Sequence, residues 1–159
     1  MKKIGVIGIG NPLRKDDGIG IVLLEKLVEI KDDLPDDIEY IDGGTSGMNL
    51  LHLFARFDIV FFVDAVNFGG EIGESKLFNS EDVNSKNIQI ITSTHGFDIL
   101  KIIQLSKELG ENPDEIFIFG VQPQNITSGT RLSHEIKENV DSLVDNLKAE
   151  LKNIMENRK

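Results

Sequence analysis

The chain has 159 residues, and 17 Lys and Arg against 27 Asp and Glu give a formal net charge of −10. An acidic surface repels phosphate backbones and anionic headgroups, so neither nucleic acid nor a membrane is an expected partner. Cysteine is absent, which excludes disulfides, thiolate metal sites and a cysteine nucleophile together. Hydrophobic residues at 40% and charged ones at 28% fit one soluble globular domain over residues 1–159. Met1-Lys2-Lys3 runs directly into an apolar segment. That is neither a secretory leader nor a bilayer span, so a cytoplasmic location is expected.

In chain order, Lys3 to Ile9 holds Ile4, Val6, Ile7 and Ile9 separated only by glycines, which predicts a strand buried on both faces. Gly8-Ile9-Gly10-Asn11-Pro12-Leu13-Arg14-Lys15-Asp16-Asp17-Gly18-Ile19-Gly20 follows as a strand-to-helix turn. Ile19, Val22, Leu23, Leu27 and Ile30 then recur at helical spacing. The acidic stretch Asp32 to Asp37 reads as a solvated loop. A second strand is expected over Ile38 to Ile41, ending at Asp42-Gly43-Gly44-Thr45-Ser46-Gly47. Met48, Leu50, Leu51, Leu53, Phe54 and Phe57 suit a short buried helix, with His52 as a core or rim histidine. Ile59 to Val63 is wholly apolar until Asp64 and reads as a central strand.

Ser75 to Phe78 reads as an edge strand, and Asn87 to Thr92 as a further strand or extended lead-in. Thr94-His95-Gly96 should open a helix with Phe97, Leu100, Ile103 and Leu109 on its inner face. Glu115 to Phe119 is a last apolar strand. A final helix from about Ser133 carries Ile136, Val140, Leu143, Val144, Leu147, Leu151 and Ile154 on one stripe. The alternation of strands and helices predicts an α/β fold, a three-layer α/β/α arrangement around a twisted, mostly parallel sheet of about five strands. The core accounts for the apolar residues, so a monomer is expected.

In such a sheet, ligands bind at the carboxyl ends of the strands. Asp17 follows the first strand, Asp64 ends the central one, and His95 precedes the third long helix. If these strands are parallel, all three reach one edge. Two carboxylates and an imidazole suit a divalent first-row ion such as Ni²⁺ or Zn²⁺. Each also has a plainer reading: Asp16 or Asp17 as a helix cap, Asp64 as a half-buried carboxylate with a structural partner, and His95 as a lone structural histidine. His134 suits capping or the surface, and Glu138 prevents a His-Glu-x-x-His zinc pattern. No Gly-x-Ser-x-Gly elbow supports a hydroxyl nucleophile. The turn Gly8-x-Gly10 with Asp42 admits a nucleotide-binding alternative. Against it stand Leu13 at the third glycine position and the acidic pair where a pyrophosphate would lie.

Taken together, the Gly8-x-Gly10-Asn11 turn with Asp16-Asp17-Gly18-x-Gly20, the Asp42 to Gly47 loop, Val63-Asp64-Ala65, His95 and Gly120-Val121-x-Pro123 resemble the hydrogenase maturation endopeptidases. That family trims the C-terminal extension from the large subunit of nickel-iron hydrogenases. The resemblance implies a mixed sheet between helices, and nickel held through Asp17, Asp64 and His95. The acidic position that can be Glu in relatives is Asp17 here, a shorter arm with the same charge. It implies that the nickel is carried by the large-subunit precursor, with other divalent ions as possible substitutes. On this reading Asp17, Asp64 and His95 are catalytic, and Asp42 helps place or cleave the tail. The alternative is a non-catalytic maturation chaperone that binds a metal or a nucleotide at the same edge.

Overall fold

The structure is a computed structural model that describes residues 2–45, 47–85, 89–90 and 99–158. The chain runs through β1 (Ile4–Ile9), a 3-10 turn (Lys15–Gly18), α1 (Ile19–Glu29), a 3-10 turn (Lys31–Asp33) and β2 (Ile38–Gly44). A 3-10 turn (Gly47–Leu50) then leads into α2 (Leu51–Phe54), followed by β3 (Ile59–Asn67), β4 (Ser75–Asn79) and α3 (Ser80–Ser85). β5 (Gln89–Ile90), α4 (Ile99–Glu108), β6 (Glu115–Val121), α5 (His134–Glu138) and α6 (Val140–Glu156) complete it.

The main path of the sheet is β2-β1-β3-β6-β4. The first four strands are mutually parallel, and β4 is antiparallel to β6. The expected antiparallel edge strand is therefore β4. β5 is a two-residue antiparallel addition to the far end of β3. From β1 the chain crosses to β2 on one side, and the next strand, β3, lies on the other. The order thus reverses between β1 and β3, which makes the crevice beyond their carboxyl ends a topological switch point.

Strand alternation divides the core into two layers. Ile4 and Val6 of β1 and Ile59, Phe61, Val63 and Ala65 of β3 pack with α1 and α6. Ile7 and Ile9, with Val60, Phe62 and Val66, pack with α2, α3 and α4 on the other face. Phe61 stacks on Phe117 at 5.2 Å in the first layer, and Phe54 meets Phe62 at 5.8 Å in the second. Both faces of β1 and of β3 up to Val66 are buried, as the apolar runs Ile4 to Ile9 and Ile59 to Val63 require.

Four expectations need correction. β3 continues to Asn67, because Ala65 and Val66 still bury apolar surface and Asp64 is contained within the strand. The inner face of α4 is Ile99, Ile102, Ile103 and Ser106. Ile103 of the expected stripe is on that face and Leu100 packs at its margin, whereas Leu109 lies beyond the helix and is 55% exposed; Phe97 lies outside the described residues. His52 is exposed on α2, since Leu51 and Phe54 occupy that one-turn helix's buried side. The last helix is two, broken at Asn139. The expected helix opening at Thr94-His95-Gly96 lies outside the described residues.

Candidate active site at the sheet switch point

Close backbone approach builds the site. A Cβ on Gly20 would lie 2.2 Å from the Val63 carbonyl oxygen and 2.3 Å from that of Ile9. Only glycine lets the start of α1 press onto the ends of both β1 and β3. Gly10 has φ +134°, and a Cβ there would lie 1.9 Å from the Asp17 carbonyl oxygen and 3.8 Å from Asp64 Oδ1. The Gly10 turn therefore lies against the backbone of Asp17 and close to the Asp64 carboxylate.

The pairing of β3 with β1 ends at Gly8 and Val63, whereas its pairing with β6 continues to Ala65 and Val121. Asp64 is thus the first residue of β3 beyond its β1 neighbour, at the mouth of the crevice. Asp16, Asp17 and Asp64 are all fully buried, but their partners differ. The Asp16 carboxylate accepts from the N–H groups of Gln124, Asn125 and Ser133 at 3.0, 2.9 and 2.7 Å, and from the Ser133 hydroxyl. Asp17 Oδ2 accepts from the Asn11 N–H at 3.0 Å, and Asp64 Oδ1 from the adjoining Ala65 N–H at 2.8 Å. Asp17 Oδ1 and Asp64 Oδ2 have no hydrogen-bond partner among the described residues.

Neither the 3-10 turn nor α1 has a side-chain cap, so the cap reading of Asp16 and Asp17 does not describe them. Burial raises the pKa of Asp17, against the Asn11 hydrogen bond and the nearby Arg14 charge, which lower it. Asp64 is pushed well above the ordinary carboxylate range by burial and by the negative charge of Asp17. Two buried carboxylates close enough to repel, each with a free oxygen, suit a shared cation. Among the described residues no group of three His, Asp or Glu is positioned to hold a metal, and His95 lies outside them.

Asp42 faces Gly8 in the β1–β2 register. It is exposed and stands two strands, roughly 10 Å, from β3. Its neighbour Ile41 packs with the α2 and α4 layer, so alternation turns Asp42 to the opposite face, whereas Asp64 shares the α4 face with Phe62 and Val66. The structure brings Asp17 and Asp64 together and leaves Asp42 at the same edge but apart. His134 is exposed and faces Glu138 across one helical turn at 3.1 Å.

The phosphate-cradle alternative meets a hydrogen-bonding obstacle. The Gly10 N–H donates to the Gly44 carbonyl, that of Asn11 to Asp17, and those of Leu13 and Arg14 to Asn11. Pro12 has none to offer. No free amides remain in that turn for a pyrophosphate, and the buried carboxylates repel one.

Sequence reasoning missed Gln122, the unspecified position in Gly120-Val121-x-Pro123. Its Oε1 accepts from the Phe68 and Gly70 N–H groups at 2.9 and 3.2 Å, and its Nε2 donates to Asn67 Oδ1 at 3.1 Å. It holds the loop that leaves β3 against the end of β6. The only sequence signal was its place directly after an apolar strand, at the same edge as the acidic pair.

A sequence model of the hydrogenase maturation protease family matches residues 21–150. The hydrogenase 2 maturation protease of Escherichia coli is 29% identical over 151 residues, covering 94% of this chain and 91% of that one. Among solved structures, the E. coli hydrogenase maturating endopeptidase HybD aligns with a TM-score of 0.79 at 26% identity, covering 95% and 93% of the two chains. The [NiFe] hydrogenase maturation protease HycI from Thermococcus kodakarensis aligns with a TM-score of 0.74 at 29% identity, with the same coverages. The chain belongs to the hydrogenase maturation protease family and is an endopeptidase. The family match contains Asp42, Asp64 and His95 and begins just after Asp17.

Proposed function

We propose that this endopeptidase removes the C-terminal extension of a nickel-iron hydrogenase large-subunit precursor, and that it recognises the precursor through nickel the precursor already carries. Asp17 and Asp64 supply anionic ligands to that ion, and His95 supplies the third. Nickel is cargo of the substrate, so it leaves with the product. The observation that carries this reading is a pair of oxygens, Asp17 Oδ1 and Asp64 Oδ2, left without a partner among the described residues. Both are buried with no donor among the described residues, an arrangement a cation relieves.

Coordination to the ion would fix the nearby scissile amide in the crevice, and positioning of this kind supplies a large part of an enzyme's rate. Water adds to the amide carbonyl carbon, the C–N bond breaks, and the departing nitrogen takes up a proton. A carboxylate with a raised pKa is suited to accept the proton from water and return it to the amine. Asp42, exposed at the same edge, is assigned to contact the tail. The enzyme acts as a single-domain monomer in the cytoplasm, where a precursor would be processed after metal loading.

The test is incubation with nickel-loaded and nickel-free precursor, followed by mass analysis of the precursor. Loss of the tail mass only from the loaded form supports the reading. Equal cleavage of both forms contradicts it, and a stable complex without mass loss points to a chaperone role. Asp64→Asn should abolish cleavage, because it keeps the shape and removes the anionic ligand.

A further inference from the structure

We propose that Asp16 is a positioning residue for Asp17. Its carboxylate locks the 124–133 loop onto the Lys15–Gly18 turn, and that lock fixes where the free oxygen of Asp17 points. Asp16 is as buried as its neighbour, yet four donors satisfy it: the N–H groups of Gln124, Asn125 and Ser133, and the Ser133 hydroxyl. Reciprocal main-chain bonds reinforce the lock. The Asp16 N–H donates to the Asn125 carbonyl at 3.0 Å, Lys15 to Gly129 at 2.9 Å, and Gly129 to Leu13 at 2.8 Å.

The turn these bonds hold is strained. Lys15 has φ +48°, and it is the one non-glycine residue at positive φ among the described residues. Such a conformation persists only where its surroundings over-determine it. Here the surroundings are the 124–133 loop, and the residue that follows the clamped Asp16 is Asp17. Ser133 opens α5 without a side-chain cap, and its hydroxyl donates to Asp16. A fully satisfied buried carboxylate of this kind specifies one arrangement where an apolar contact would tolerate several. The consequence for cleavage rests on the function proposed above, whereas the geometric claim does not.

Two readouts test it: hydrogen exchange at the Asn11 amide, which donates to Asp17 Oδ2, and steady-state cleavage of nickel-loaded precursor. Asp16→Asn keeps the size but turns an amide NH₂ toward N–H donors. It should lower Asn11 protection about tenfold, and reduce kcat about tenfold or more with KM little changed, the mark of misplaced rather than missing binding groups. Ser133→Ala removes only the hydroxyl bond. It should shift both readouts in the same direction by less, and it carries the test if Asp16→Asn does not fold. Ile154→Ala, in the core at the far end of α6, serves as the control for lost stability alone. If the Asn11 protection of the folded variants matches wild type, or falls only as far as in Ile154→Ala, the proposal is overturned. Normal cleavage by Asp17→Asn would instead defeat the functional reading, and the Asn11 exchange would still decide the role of Asp16.

Discussion

An ionised carboxylate taken out of water needs donors or a cation, and Asp64 has one backbone N–H. With its pKa raised well above 3.8 in the folded state, Asp64 binds its proton more tightly folded than unfolded. Its contribution to stability is therefore fully present below about pH 3.8 and is lost as pH rises through the folded-state pKa. Asp64→Asn should flatten that decline and raise the Tm at pH 7, by about 2–4 °C for each kcal/mol recovered. Thermal melts from pH 4 to 8 check this, and an unchanged profile would show that Asp64 is not a buried, repelled charge. Asp17→Asn removes the like charge beside it and should bring the Asp64 pKa partly back toward normal, measurable by carboxyl NMR titration. Sequence could see the doublet Asp16-Asp17 but could not separate its members. Both are aspartates before a helix, and only the 124–133 loop, distant in sequence, shows that Asp16 is fully satisfied whereas one oxygen of Asp17 has no partner among the described residues.

At the scale of elements, the site depends on how closely α1 can approach β1 and β3. Gly20→Ala places a methyl 2.2 Å from the Val63 carbonyl oxygen. Overpacking against backbone costs about 1–3 kcal/mol or more, so the Tm should fall by several degrees and cleavage should fall with it. A Gly20→Ala variant with wild-type Tm would show that this approach is not tight. The strands were legible where apolar residues are continuous, as in Ile4 to Ile9 and Ile59 to Val63. They were only half legible where pairing depends on remote partners: Asn87 to Thr92 could be read as a strand or as an extended lead-in, and β5 spans Gln89–Ile90 within it. The α4 stripe was misjudged by including Leu109, which comes after the last helical residue, Glu108. α3 escaped because Ser80–Ser85 buries only Ser80 and Val83 among its side chains described, too little for a 3.6-residue pattern to register.

At the scale of the whole molecule, the two edges of the sheet have different work. The carboxyl edge holds the buried carboxylates. At the amino edge, Arg158 pairs with Glu115 through two nitrogens and lies over Phe117 at 5.7 Å. This ties the end of α6 to the start of β6. The Arg158 hydrogen bond lowers the Glu115 pKa, so its stabilisation is present at neutral pH and lost as pH falls through the folded-state pKa of Glu115. The pair is about a quarter exposed, so Arg158→Ala should cost on the order of 1 kcal/mol, near the upper end for such pairs. Melting should show that loss at pH 7 and less of it at pH 3, with precursor cleavage unchanged below the melting range. Reduced cleavage at full fold would mean that the two edges are coupled.

The central claim is that two buried acidic groups, with His95, engage an ion that the precursor brings. The most direct measurement is cleavage of one precursor preparation, loaded with nickel or stripped of it, by wild type, Asp64→Asn and His95→Ala. Tail release by wild type from the loaded form alone, abolished in both variants while their folds persist, is the predicted result. Release from the stripped precursor, or by either variant at the wild-type rate, would contradict it.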